Sequence, residues 1–174
     1  MNIVLIGYRA SGKSLIGKRL AERLGWSFLD VDRGINEKED GRTIKQIYEE
    51  SGEPYYRDVE AEIAKEMLVN DQCVIAFGGG TILRQETRDR VTPMTRIVYL
   101  KGSPDLLWQR SQGDPDDEKN RPSLLGGMGG KEEIVAMLEK RRAVYEGAAD
   151  ITIDASLDPD AIVTQMIELL KPGE

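Results

Sequence analysis

Four apolar residues, Ile3 to Ile6, open the chain and stop at Gly7. A short unbroken apolar run closed by glycine predicts a strand. The period then changes. Leu15, Ile16, Leu20 and Leu24 recur at helical spacing, and Gly25 fits the residue that stops a helix. Ser27 to Asp32 reads as a second strand ending in acidic residues. Residues 33–53 read as short helices and turns, with Thr43 as an N-cap, and Pro54 opens a longer helix to about Val69. Asp71 to Phe77 is a third strand, ended by Gly78, Gly79 and Gly80. A helical stretch from Arg84 to Arg90 precedes a fourth strand from Thr95 to Leu100. Pro104 starts a helix to about Arg110, Lys131 to about Glu146 is another, Asp150 to Ile153 is the last strand, and Pro159 to Leu170 is a closing amphipathic helix. Strands alternating with helices predict an α/β fold with a mainly parallel sheet. Ligands of such sheets bind outside the carboxyl ends of the strands, so the residues after strands one, two and three should face one crevice.

Ser111 to Gly130 breaks the pattern. It is polar, rich in glycine and proline, and too long for an ordinary connection, so it reads as a functional lid or a disordered segment. The 174 residues otherwise make one domain, 1–174, with no internal repeat. The net charge of −7 and the lack of a long basic tract argue against a nucleic-acid partner. No leader and no apolar stretch long enough for a membrane helix is read, and the single cysteine, Cys73, falls within an apolar run. A cytoplasmic protein, monomeric and without a membrane partner, is expected. The chain has no histidine, which excludes an imidazole base and histidine-built zinc sites. Any general base here is a carboxylate, or there is none.

Gly7 to Ser14 spells G-x-x-x-x-G-K-S between the first strand and the first helix, the context a nucleotide-phosphate loop requires. Backbone N–H groups turned inward, with the positive end of the following helix, suit an anion. Lys13 is expected to reach the β- and γ-phosphates, and the Ser14 hydroxyl to sit on Mg²⁺.

The acceptor side is read from four clusters. Asp30 and Asp32, at i and i+2 of an extended segment, would share a face, with Cα atoms roughly 6–7 Å apart. One would hold a magnesium-bound water and the other accept a substrate hydroxyl. Arg57 falls near the start of the helix opened by Pro54, where a cation opposes the helix dipole, and Glu60 follows three residues later. That spacing fits a bidentate grip on a carboxylate and a surface ion pair equally well. The triplet Gly78 to Gly80 suits close backbone approach to a ligand, with N–H groups available to donate. Arg121-Pro122 lies in the presumed lid; in that acidic segment the arginine could be solvated or could swing over the transferring phosphoryl group, with Gly126-Gly127 and Gly129-Gly130 giving hinge freedom. Lys140, Arg141 and Arg142 lie late in their helix, where cations suit the dipole in any case. Trp26, Trp108 and the tyrosines read as packing.

Taken in order, these motifs resemble the shikimate kinase family nearly end to end: GYRASGKS at the start, Asp30-x-Asp32, G-E-x-x-[FY]-R-x-x-E from Gly52 to Glu60, GGG at 78–80, Arg121-Pro122, and R-x-x-x-Y from Arg141 to Tyr145. The resemblance implies a P-loop NTPase fold: a three-layer sandwich around a five-stranded parallel sheet of order 2-3-1-4-5. It implies a substrate-binding insertion at about 33–60 and a lid at about 111–130. It implies phosphorylation of the shikimate 3-hydroxyl by ATP, with Mg²⁺ as cofactor. Gly7, Ala10, Ser11, Gly12, Lys13, Ser14 and Leu15 would bind the nucleotide, with Arg110 near adenine and Arg121 bridging nucleotide and acceptor. Asp30 would serve the metal through water, and Asp32 the acceptor hydroxyls, as possible base. Arg57 and Arg141 would clamp the shikimate carboxylate, and Gly78, Gly79 and Gly80 would line the site. Lys13, Asp32 and Arg121 would be the catalytic residues.

Three departures from the family pattern stand out. Tyr56 replaces phenylalanine, the lid is longer and more acidic, and Arg141 to Tyr145 lacks a proline-leucine pair, leaving Arg141 and Arg142 as alternatives. The rival readings are a related small-molecule kinase of gluconate type and a catalytically silent nucleotide-binding regulatory module.

Overall fold

The computed structural model describes residues 1–113 and 130–171. The opening apolar run forms β1 (Asn2–Ile6), the middle strand of a five-stranded sheet. The others are β2 (Ser27–Asp30), β3 (Cys73–Ala76), β4 (Thr95–Lys101) and β5 (Ile151–Asp154). The order is β2-β3-β1-β4-β5 and every pairing is parallel, with Val4 beside Ile75 on one side and Ile97 on the other. That is the sheet the resemblance implied.

The helices are α1 (Lys13–Leu24), α2 (Val31–Lys38), α3 (Ile44–Leu68), α4 (Gln85–Arg88), α5 (Pro104–Gln112), α6 (Gly130–Ala148) and α7 (Pro159–Leu170). Alternate residues of β1 feed different cores. Ile3 and Leu5 pack with Ile16 and Leu20 of α1 and Ile162 and Met166 of α7. Val4 and Ile6 pack with Ile35 of α2, Ile47 and Ile63 of α3, and Tyr145 of α6. Helices on both faces make three layers, and the apolar run from Ile3 to Ile6 fits a strand covered on both faces.

The caps are where the residue types require them. Gly25 ends α1 at φ 68°, donating to the Ala21 and Glu22 carbonyls. Thr43 begins α3 with a reciprocal box: its hydroxyl accepts from the Gln46 N–H at 3.2 Å, and the Gln46 side chain accepts from the Thr43 N–H at 2.8 Å. Ser103 and Asp158 cap α5 and α7, each just before a proline.

Some boundaries differ from expectation. The second strand ends at Asp30, and Val31 already begins α2, because Asp30 turns its carboxylate onto the Arg33 N–H and caps that helix. Asp30 and Asp32 therefore do not share the face of an extended segment. α3 is two limbs meeting at Gly52, whose φ of 84° and ψ of 162° are not helical. The helix of Pro54 is its second limb. The helix expected over 84–90 is only the single turn of α4. Most of the expected lid, with Arg121 and Pro122, lies outside the described residues.

Candidate active site

The segments that follow β1, β2 and β3 meet at one end of the sheet. In the segment after β1 the backbone takes left-handed values at Gly7 (148°), Ala10 (62°) and Gly12 (95°). Alternation of this kind turns successive N–H groups toward one centre, a geometry suited to an anion. Gly12 is the N-cap of α1, so the positive end of that helix faces the same centre. The Lys13 ammonium lies along the loop, donating to the Gly7 and Tyr8 carbonyls at 2.9 Å each and to Ser11 Oγ at 3.4 Å. Ser11 is buried, whereas Leu15 is half exposed on the first turn of α1.

Ser14 Oγ donates to Asp30 Oδ2 at 2.6 Å. The hydroxyl and the carboxylate named for magnesium thus meet at the loop mouth. Mg²⁺ keeps several waters and takes one or two protein oxygens, so this pair suits it. Among the described residues no group of three or more acidic or thiol side chains forms a cage for a metal. Arg110 closes the other side of the loop, donating to Ser11 O at 3.4 Å and to Ala155 O at 2.8 Å.

The glycine triplet organises the acceptor side. A Cβ on Gly78 would stand 2.7 Å from Asp32 Oδ1 and 2.8 Å from Glu60 Oε1. On Gly79 it would stand 3.2 Å from Arg141 Nη1, and on Gly80 only 2.3 Å from Arg57 Nη1. Any side chain at 78 or 80 would displace a site residue. The close approach predicted for this triplet is therefore first an approach to the chain's own Asp32, Arg57 and Arg141. The Gly79 carbonyl also accepts, from Arg141 Nη1 at 3.1 Å and from the Tyr145 hydroxyl at 2.5 Å.

Spacing alone left Arg57 as either a clamp or a surface pair; the structure makes it largely buried. Its Nη1 donates to Glu60 Oε2 at 2.8 Å, its side chain 17% exposed and that of Glu60 2%. Glu60 Oε1 accepts from Thr81 Oγ1 at 2.8 Å and from the Tyr56 hydroxyl at 3.3 Å. Three donors on one buried carboxylate hold it rigidly. Burial opposes the charge on Arg57, but the charge of Glu60, its hydrogen bond and the nearby tyrosine hydroxyls outweigh it and keep its pKa above the ordinary value. The guanidinium also lies over the Tyr56 ring at 5.0 Å and near that of Tyr48 at 5.9 Å. Burial pushes the Tyr48 hydroxyl up to about 12.

Arg141 and Arg142, left as alternatives, are different in kind. Arg141 is 4% exposed and its Nε has no hydrogen-bond partner among the described residues. Arg142 is exposed and pairs with Glu139 at 2.9 Å. Of these two, Arg141 is the one that reaches the glycine triplet.

Two tyrosines read as packing do more. The Tyr8 ring lies beneath the Arg141 guanidinium at 5.6 Å and that of Arg9 at 5.7 Å. Tyr145 orients Gly79, and its spacing of i+4 from Arg141 was the signal: both lie on one face of α6. Arg9, in the phosphate loop, pairs at 3.5 Å with the fully buried Glu133 of α6. Nothing in the local sequence joins residues 124 positions apart. Trp26 and Trp108 are packing, as expected.

This geometry has known counterparts. The family profile described as shikimate kinase matches residues 9–171. A shikimate kinase of Symbiobacterium thermophilum is 36% identical over 176 residues, covering 100% of this chain and 99% of that one. A shikimate kinase of Thermodesulfovibrio yellowstonii is 38% identical, covering 96% and 93%. Among solved structures, shikimate kinase from Acinetobacter baumannii in complex with shikimate superposes with a TM-score of 0.89 at 31% identity, over 99% of this chain and 94% of that one.

Proposed function

The chain belongs to the shikimate kinase family, and from that membership we propose that it transfers the γ-phosphoryl group of ATP to the 3-hydroxyl of shikimate. The observation that carries the reading is the pair of buried arginines, Arg57 and Arg141, set against neighbouring glycines on the acceptor side of a phosphate loop. Two guanidinium groups set beside Gly79 and Gly80 suit a single carboxylate. A neutral polyol acceptor would offer no anion to Arg141, which pairs with no carboxylate among the described residues.

The roles follow from position. The loop N–H groups from Gly7 to Ser14 hold the phosphates, Leu15 and Arg110 flank the nucleotide, and Lys13 moves its ammonium from the loop carbonyls to the γ-phosphoryl oxygens. Ser14, with Asp30 acting through water, would hold Mg²⁺, which would supply neutralisation of phosphate charge. Arg57 and Arg141 fix the acceptor by its carboxylate, with Gly78, Gly79 and Gly80 as the floor. That leaves Asp32, at the Gly78 end, to orient or deprotonate the attacking hydroxyl. Catalysis is then mainly positioning and charge neutralisation, with Arg121 assigned to the transferring group. We extend the proposal to substrate-binding and lid roles for about 33–60 and 111–130, and to a monomer working in the cytoplasm. A buried free thiol at Cys73 is compatible with a reducing compartment.

The test is ADP release measured with shikimate, gluconate or a nucleoside monophosphate as acceptor. Release with shikimate alone is expected. Release with gluconate instead would replace this reading by the sugar-acid kinase. ATP binding without release on any acceptor would favour the silent module.

A further inference from the structure

The acceptor-side arginine sits on a bent element whose bend is tied from outside the site. The two limbs of α3 meet at Gly52, where φ 84° and ψ 162° lie in a region essentially closed to other residues. A glycine joint does not fix its own angle. Arg57 projects from the first turns of the second limb, so its direction depends on what sets that angle.

The fixing group is at the end of α2. Glu39 is the C-cap of that helix and is only 6% exposed. After it, Asp40 and Gly41 reverse the chain at φ 53° and 81°, bringing Arg42 back against it. The Glu39 carboxylate divides its two oxygens. Oε2 forms an ion pair with Arg42 Nη2, while Oε1 accepts from the Tyr55 hydroxyl at 2.8 Å. Arg42 Nη1 then donates to Glu50 Oε2 at 3.2 Å and to Ser51 Oγ at 3.4 Å. Glu50 and Ser51 end the first limb, and Tyr55 lies in the first turn of the second. One buried carboxylate therefore holds α2, the first limb and the second limb together across the glycine joint. Asn36 Nδ2 secures the arrangement by donating to Arg42 O at 3.0 Å.

We propose that Glu39 is a positioning residue for the acceptor: its clasp on Arg42 and Tyr55 fixes the bend at Gly52 and so aims Arg57. The proposal rests on the reading of Arg57 as a carboxylate grip. Glu39 touches no substrate, so its loss should weaken acceptor binding and leave the nucleotide alone. A Tyr55 ring that is 43% exposed can lose its hydroxyl without harm to the core.

The experiment is steady-state kinetics of Glu39→Gln, Tyr55→Phe and Arg57→Ala, with the double variant Glu39→Gln/Arg57→Ala, varying shikimate and ATP separately. Glu39→Gln should raise the shikimate KM about tenfold, the effect of about 1.4 kcal/mol, with kcat and the ATP KM within twofold of the parent. Tyr55→Phe should move the same constant in the same direction by a smaller factor. In the Arg57→Ala background Glu39→Gln should add less than twofold, because the group it aims is gone. Should Glu39→Gln fail to fold, Tyr55→Phe alone and in the Arg57→Ala background carries the test. An unchanged shikimate KM, equal changes in both KM values, or an undiminished effect without Arg57 would each overturn the clasp. A parent chain that does not phosphorylate shikimate would overturn the functional reading and the clasp with it.

Discussion

Glu60 and Arg57 show how one residue can be written for another. Glu60 is 1% exposed, a position a carboxylate occupies only with full pairing, and its donors are Arg57, Thr81 and Tyr56. Its Oε2 bond turns the Arg57 fork toward Gly80. Arg57→Ala should raise the shikimate KM by about ten- to a hundredfold, the worth of a charge-assisted bond of about 1.5–3 kcal/mol. The ATP KM should stay within twofold, and an unchanged shikimate KM would remove Arg57 from the acceptor site. Lysine should not restore the loss, since an ammonium lacks the planar fork. Ala10 offers a second residue-scale test. Its φ of 62° is a left-handed value that costs an L-residue about 1–2 kcal/mol relative to its usual regions. Ala10→Gly should raise Tm by about 2–4 °C, read by thermal unfolding with nucleotide affinity retained.

At the scale of elements, α3 is held by its ends and its middle. The box between Thr43 and Gln46 satisfies backbone donors at the start of the first limb. Thr43→Ala should cost about 1 kcal/mol, a fall in Tm of about 2–4 °C, with little effect on the nucleotide KM. Gly52→Ala is a different matter. The φ/ψ values there force strain of about 1–3 kcal/mol on any Cβ, and relief means straightening α3. Stability and the shikimate KM should then worsen together, which distinguishes this variant from the cap. The sequence carried much of this. Thr43, Pro54 and Gly25 marked real boundaries because caps and breakers act over one turn. The sequence pattern failed at Asp32. SFLDVD reads as a strand, but a carboxylate at Asp30 stabilises a helix N-terminus as readily, and the edge strand β2 ends there.

At the scale of the molecule, the buried tyrosines make stability depend on pH. Burial raises the pKa of Tyr48 and Tyr99 to about 12, and raises Tyr56 and Tyr145 as well. An unfolded tyrosine ionises near 10. Between these values the unfolded chain releases protons that the folded chain keeps, so stability falls as pH rises. Each such group contributes a slope of up to about 1.4 kcal/mol per pH unit. Denaturant midpoints should be level through pH 8–9 and drop steeply above pH 10. Absorbance at 295 nm should report buried phenolates only as the chain unfolds; ordinary titration near 10 in the intact fold would contradict the burial. The chain's own order of residues determined the strand–helix alternation, the phosphate loop with Lys13 and Ser14, and the pairing of Arg57 with Glu60, because each depends on neighbours within a turn or two. The tertiary structure alone decided that Gly78, Gly79 and Gly80 face Asp32, Arg141 and Arg57, that Arg141 rather than Arg142 turns inward, and that Glu39 ties the bend. Those are contacts between segments distant in sequence, or faces of a helix chosen by what packs against it, and no local pattern encodes them.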